Sequence, residues 1–173
     1  KGQEKDFILG LMLRTASIRQ RLEKYGPISD DSKILEVGSG AHGLIFCFGK
    51  GRAVGIDPLA VDYKRLFPRW QASAQTIAAI GERLPFADSS FDIVLSDNVI
   101  DHAENPIAIL KDISRVLKPS GLLYFTVNIH HPMYSLASTA PATQPAHALR
   151  LCLIDCGSGP SVTMSDTASL PPG

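Results

Sequence analysis

The stretch from Lys33 to Pro58, KILEVGSGAHGLIFCFGKGRAVGIDP, restricts the folding options of this chain more than any other. An apolar run (Ile34, Leu35, Val37) leads into Gly38, Gly40 and Gly43, and a second run (Ala53, Val54, Ile56) ends on Asp57. The pattern predicts strand, glycine turn, helix, strand. Glycines permit a tight turn and let backbone N–H groups approach a ligand at a helix N-terminus, while an acid closing the next strand can accept hydrogen bonds from ribose hydroxyls. An adenosine-containing ligand is the expectation. Three glycines alone serve many structural turns. The strand before, the helix after and an acid about twenty residues past the first glycine make the nucleotide-binding reading specific. Nicotinamide, flavin and S-adenosylmethionine all satisfy it. Glu36 tilts the choice, because a carboxylate repels a pyrophosphate but attracts a sulfonium or an ammonium.

The 173 residues suit one domain with a sizeable core. With 17 basic and 17 acidic residues the net charge is zero, so nothing advertises a nucleic-acid or anionic-membrane surface. The longest early apolar run, Phe7 to Leu13, is broken by Gly10 and is far short of a membrane span. It also lacks a cleavage pattern, and no signal peptide is expected. Cys47, Cys152 and Cys156 show no paired zinc-ligand spacing and read as reduced thiols of a cytoplasmic protein; no metal is expected.

Phe7, Leu11, Ile18, Leu22 and Tyr25 recur at helical spacing with basic residues between them, which predicts an amphipathic helix over 6–25, stopped by Gly26 and Pro27. Such a helix either covers the sheet or closes over the ligand. Residues 59–70 begin a helix that Pro68 ends or bends, and a short strand is expected near Thr76 to Ile80. Phe91, Ile93, Val94 and Leu95 form a buried strand whose C-terminal end carries Ser96, Asp97 and Asn98. Asn105 and Pro106 open a helix with the stripe Ile107, Leu110, Ile113, Leu117, ended by Lys118 to Gly121. Leu122 to Val127 is a fifth strand, apolar throughout as a strand buried on both faces should be. Five strands alternating with helices predict a Rossmann-like, doubly wound, mostly parallel α/β sheet with helices on both faces.

Beyond Pro132 the chain is rich in Ser, Thr, Ala, Pro and Gly, with one strand candidate, Ala148 to Ile154, and a tail from Gly157 to Gly173 expected to be poorly ordered. The expected organisation is an N-terminal helix or lid (1–30), a cofactor-binding domain (31–132), and a divergent or truncated, partly disordered C-terminal segment (133–173).

The ordered motifs ILEVGSGAHG, VGIDP, ERLPFADSSFDIV, NVIDHAENP and ISRVLKPSGLLYFTV resemble the class I S-adenosylmethionine-dependent methyltransferases, over about Lys33 to Val127. Within that class the chain is most similar to small-molecule methyltransferases with a Leu-Pro-Phe turn before the fourth strand. The resemblance implies S-adenosyl-L-methionine as cofactor and a small-molecule methyl acceptor; from composition no nucleic-acid partner is evident and no membrane partner is expected. Glu36, Gly38, Ser39 and Gly40 match the first motif, implying a backbone cradle for the methionine portion and a carboxylate near its amino group. Asp57, followed by Pro58, matches the acid that binds the ribose hydroxyls. Gly81 and Glu82 fall in the adenine loop, and Ser96 and Asp97 at the end of the fourth strand, beside the sulfonium. His102 matches a histidine frequent in these sequences.

Three positions depart from the family pattern. His42 stands where a third glycine is commonest, with Gly43 one place later; Ile80 replaces an aspartate that binds the adenine amino group in many relatives, with Glu82 two residues on; and the family sheet has two strands after the fifth, where this chain offers at most one. Methyl transfer from a sulfonium is an in-line displacement by a donor already activated, so a dedicated base is optional. If one is used, His102, His130, His131 and Tyr134 are the candidates, since imidazole takes protons near neutral pH. A nicotinamide-dependent oxidoreductase and a non-catalytic cofactor-binding module are the rival readings.

Overall fold

A computed structural model of the protein describes residues 2–49, 51–128, 149–155 and 161–164. Helix α1 (Gly2–Leu22) precedes strand β1 (Lys33–Val37), a single 3-10 turn (Leu44–Phe46) and strand β2 (Arg52–Ile56). Helices α2 (Ala60–Leu66) and α3 (Pro68–Gln71) lead to β3 (Gln75–Ile77) and β4 (Phe91–Asp97). A second 3-10 turn (Ile100–His102), helix α4 (Pro106–Val116) and strands β5 (Leu117–Asn128), β6 (Leu149–Asp155) and β7 (Ser161–Met164) complete it.

The strands form one sheet in the order β3-β2-β1-β4-β5-β6-β7. The first five in sequence pair parallel, and β6 and β7 antiparallel. Strand order reverses between β1 and β4, so a crevice opens beyond their C-terminal ends, the place where open α/β sheets take ligands. Side chains alternate between two cores. Leu35, Val37, Val94 and Leu123 face α4, which contributes Ile109, Ile113 and Val116. Ile34, Ile93, Leu95 and Tyr124 face α1, which contributes Ile18 and Leu22. Fully burying such side chains contributes roughly 1.5–3 kcal/mol each. Helix α1 is thereby fixed over one face by its C-terminal half, while Phe7, Leu9, Met12 and Leu13 of its N-terminal half stay exposed.

The doubly wound, mostly parallel sheet is as the alternating pattern predicts, with local corrections. The helix expected after the glycine turn is only the 3-10 turn Leu44–Phe46. Few residues separate β1 from β2, and Gly49 and Gly51, both at positive φ, turn the chain back before a helix can propagate. Pro68 does divide the next helical segment, into α2 and α3. In α4 the Asn105 side chain caps Ala108 N–H at 3.1 Å, as its position predicts. The buried stripe, however, is Ile109, Ile113 and Val116 with Ile107 exposed, and Leu117 already belongs to β5. The largest correction is at the C-terminus. Two strands follow β5, where one candidate was expected, and β7 falls within the tail expected to be poorly ordered.

The loop from Glu82 to Ser90 borders the crevice and is clamped by Arg115 of α4. Its guanidinium donates to Phe86 O (2.7 Å), Leu84 O (3.0 Å) and Asp88 Oδ1 (2.8 Å), and its Nε to Asp112 Oδ1 (2.7 Å). Arg115→Ala should lower stability by about 1–3 kcal/mol, because Phe86 O loses its Arg115 donor and Asp88 and Asp112 lose their cationic partner. A fall in the urea midpoint with unchanged slope checks this.

Candidate active site

Glu36 is the base of the site. It is 2% exposed, on the α1 face of β1, and its two oxygens accept the backbone N–H groups of Leu44 (2.9 Å) and Ile45 (3.0 Å). These donors open the 3-10 turn, so the carboxylate ties the end of the glycine loop to the strand that launches it. Burial pushes the Glu36 carboxyl up to about 8, against the lowering effect of the two N–H groups; Asp97 adds to the rise and Arg14 opposes it. Gly43 is required here by space rather than by dihedral angle. Its φ is −63°, but a Cβ would run into the Glu36 carboxylate and lie 2.5 Å from Ser39 O.

The first half of the loop turns through Gly38 and Gly40, at φ +73° and +57°. The N–H groups of Gly38 and Ser39 both donate to Ile56 O at 2.9 Å, which hangs the loop on the end of β2. The Ser39 side chain is 3% exposed and lies over Gly55, where a Cβ would come within 2.6 Å of its Oγ. Asp57 accepts Gly40 N–H on Oδ2 (3.0 Å) and Leu59 N–H on Oδ1 (2.8 Å). An ionised carboxylate has about four acceptor sites, so two remain for ligand hydroxyls. A Cβ on Gly40 would meet nothing within 4 Å, leaving open space above the turn.

Beside the turn, which contributes Gly38 and Pro58 to it, lies a cavity of about 470 Å³ lined also by Ile80, Gly81, Glu82 and His102 among others. Its floor is apolar (Val37, Ile56, Val99, Ile109) and its acids are Glu82 and Glu104, a composition suited to a flat heterocycle with a polar edge. Ile80 and Glu82, the departures in the adenine loop, thus share one wall. His102 lies on this same cavity.

On the other side of Gly38, α1 supplies a residue that the sequence reading omits. Arg14 Nη2 donates to Asp97 Oδ1 at 2.6 Å, and Thr126 Oγ1 donates to the same oxygen at 2.6 Å. Burial is the largest single influence on Arg14 and works against its charge, but hydrogen bonding and Coulombic attraction to Asp97 and Tyr124 together outweigh it and hold the guanidinium more firmly protonated. Burial, followed by Asp97, pushes the Tyr124 hydroxyl up to about 12. The next residue, Asn98, has φ +56°, and its N–H donates to both Thr126 O (3.0 Å) and Thr126 Oγ1 (3.1 Å).

Two further residues brace the loop without a sequence signal. Gln71 is 3% exposed and donates to Ala41 O at 2.8 Å. The His42 ring sits within 5.0–5.6 Å of Phe7, Phe67 and Trp70, joining α1 and the α2–α3 corner to the glycine loop. In place of a glycine, His42 is therefore an aromatic anchor.

Of the expected site residues, Gly38, Pro58, Gly81, Glu82 and His102 line one cavity, and Gly40 and Asp57 form the adjoining turn. Glu36 lies beneath that turn. Asp97 stands at the α1 edge, whereas Ser96, fully buried with its hydroxyl unpartnered, points to the α4 face. His130, His131 and Tyr134 lie outside the described residues. Among the described residues no His, Cys, Asp and Glu group could hold a metal, and no helix is long and apolar enough to cross a membrane.

Comparison with known proteins fits this geometry. Residues 35–125, just over half of the chain, match the family described as Methyltransferase domain. An uncharacterized methyltransferase of Mycobacterium sp. (strain JLS) is 32% identical over 100 residues, 56% of this chain and 38% of that protein. A thiol S-methyltransferase of Rattus norvegicus is 40% identical over 62 residues, 35% of this chain and 25% of that protein. The chain therefore spans less than half the length of these relatives. Haemonchus contortus phosphoethanolamine N-methyltransferase 2, solved with S-adenosyl-L-methionine, shares the fold at a TM-score of 0.55 and 24% identity, covering 70% of this chain and 30% of that one. The Glu36-anchored loop, the Asp57 turn and the crevice between β1 and β4 all fall inside the matched span, and the chain belongs to the methyltransferase domain family.

Proposed function

We propose that this chain is the cofactor-binding portion of an S-adenosylmethionine-dependent methyltransferase acting on a small molecule. The observation that carries the reading is the turn from Gly38 to Gly43, hung on Ile56 O, anchored by Glu36 and opening into the cavity beside Asp57. The group fits where it would have to lie. Space above Gly40 accepts a ribose, Asp57 keeps two acceptor sites for its hydroxyls, and the apolar cavity takes the adenine against Ile80 with Glu82 at its rim. When bound, S-adenosylmethionine supplies a methyl group activated by the positive charge on sulfur. The protein's part is to hold the nucleoside, keep carboxylates rather than cations beside the positive centre, and present the acceptor in line. The carboxylates that would serve are those of Glu36, beneath the glycine turn, and Asp97, at the end of β4. No base is required by the chemistry, and His102 on the nucleoside side is a wall residue in this reading.

The proteins it resembles are named for different acceptor atoms, one as a thiol S-methyltransferase and one as an N-methyltransferase. A calorimetric titration with S-adenosylmethionine, its demethylated product and a nicotinamide dinucleotide tests the reading. Binding of the first two and not the third supports it; binding of none, or of the dinucleotide, overturns it. Asp57→Ala removes the acceptor of both Gly40 N–H and the ribose. It should weaken cofactor binding by about tenfold or more, the worth of a charge-assisted pair of hydrogen bonds; unchanged affinity would sink the ribose assignment.

A further inference from the structure

Helix α1 buries Thr15, Ile18 and Leu22 against the sheet, yet Leu9, Met12 and Leu13 are 56%, 52% and 64% exposed. At about 3.6 residues per turn, these three and the exposed Ala16 recur at i, i+3, i+4 and i+7 on the side turned away from the core. The helix is thus apolar on two opposite sides, and the sheet covers one of them. Charge brackets the outward stripe: Lys5 and Asp6 precede it and Glu23 and Lys24 follow it, all exposed. Glu23 N–H donates to Arg19 O at 2.9 Å, which continues the helical path past Leu22. Lys5 and Glu23 are about five helical turns apart, as are Asp6 and Lys24, so each pair shares an angular position. Lys5 and Glu23 lie on one flank of the stripe with Met12 and Ala16. Asp6 and Lys24 lie on the other with Leu13 and Ser17.

We propose that this face of α1 docks on α1 of a second copy of the chain, as an antiparallel pair about a two-fold axis. The axis passes at the height of Arg14 and Thr15, and each flank then meets the same flank running in reverse. Lys5 opposes the partner's Glu23, and Asp6 opposes the partner's Lys24. At the same register Met12 meets the partner's Ala16, and Leu13 the partner's Ser17. Cation faces anion and large side chain faces small, which is what close helix packing and a fixed orientation need. An interface between identical copies must be self-complementary, and this one helix carries both halves of each match. That selects a second copy over an unrelated partner, which would place no such demand on the two ends of α1. A parallel pair would instead set Lys5 beside the partner's Lys5. Two helices of this length cover less than the roughly 1,600 Å² of a standard interface, so the dimer should exchange with monomer. Phe7 packs its ring against His42 from the same half of α1, and pairing therefore also braces the glycine loop.

The test is sedimentation equilibrium of the full chain at low salt over a range of protein concentrations, where wild type should show a monomer–dimer equilibrium. Leu13→Glu should weaken the dimer by about tenfold or more, because the two-fold axis buries each new charge twice over. Its urea midpoint should match wild type, since Leu13 is exposed in the monomer. Asp6→Lys and Lys24→Asp should each weaken the dimer by roughly threefold to tenfold, and the two combined in one chain should restore it. Mixing the two single variants is the sharper measurement. Their heterodimer opposes unlike charges at both ends, so the mixture should associate more tightly than either variant alone. Monomer at every concentration overturns the inference and leaves the face to another partner. A dimer indifferent to Leu13→Glu forms elsewhere and overturns it too. A dimer weakened by Leu13→Glu, but with neither restoration nor preferential mixing, overturns the antiparallel pairing. None of these outcomes involves a ligand, so the inference stands or falls apart from the cofactor reading.

Discussion

Gly43→Ala should abolish measurable cofactor binding and destabilise the fold by about 2–4 kcal/mol, from overpacking together with a buried polar contact displaced. The reason is spatial. Gly43 has an ordinary extended conformation that any residue adopts, so alanine costs nothing in backbone dihedral angle. Its Cβ, however, would occupy the place of the Glu36 carboxylate and approach Ser39 O to 2.5 Å, and neither neighbour is free to retreat. Glu36 is held by Leu44 and Ile45, and Ser39 by Ile56 O. Gly40→Ala is the matched control. There the φ of +57° costs about 1–2 kcal/mol, but nothing lies within 4 Å of the new methyl group. Urea denaturation of both variants, with titration of the cofactor, separates the two causes. A Gly43→Ala protein as stable as Gly40→Ala and binding normally would mean that Glu36 does not anchor the loop.

Much of this site was legible in the sequence because its parts are local. The apolar run before Gly38, the acid ending the second run and the capped helix at Asn105 are each set by neighbouring residues, and the structure places all three as expected. What sequence reading missed depends on distant pairs. Arg14 meets Asp97 across 83 positions, and Gln71 meets Ala41 across 30. A lone arginine on an amphipathic helix gives no hint of which strand end it will face. The helix expected after the glycine turn is absent for a different reason: Gly49 and Gly51 both adopt positive φ and close the segment early. His42 was read as a departure from a glycine pattern, whereas its ring is a packing element among Phe7, Phe67 and Trp70. The second C-terminal strand is hard to read from sequence because β7 is only four residues long, too short for an alternating pattern to stand out.

Glu36 should make both stability and cofactor binding depend on pH in a direction that is fixed by its burial. Its folded value, about 8, lies above the ordinary 4.5, so between these limits the folded protein holds a proton that the unfolded chain releases. Stability from this group is therefore fully present below about pH 4.5, declines as pH rises toward 8 and is flat beyond, a total on the order of several kcal/mol. Glu36→Gln removes the titration. It also leaves one of the Leu44 and Ile45 N–H groups facing an amide NH₂, so the variant should be less stable than wild type at pH 5, with the gap narrowing toward pH 8. A gap that stays constant between pH 5 and 8 would show the carboxylate ionised throughout, held by its two backbone donors. Binding provides the second readout. A ligand bringing positive charge beside Glu36 favours its ionised form, so binding near pH 7 should release about one proton, seen as a dependence of the calorimetric heat on the ionisation enthalpy of the buffer. The release should vanish in Glu36→Gln and above pH 9, where the proton is already gone. Heat independent of buffer in the wild type would place the positive centre of the ligand away from Glu36, and would leave Asp97 as the acid that receives it.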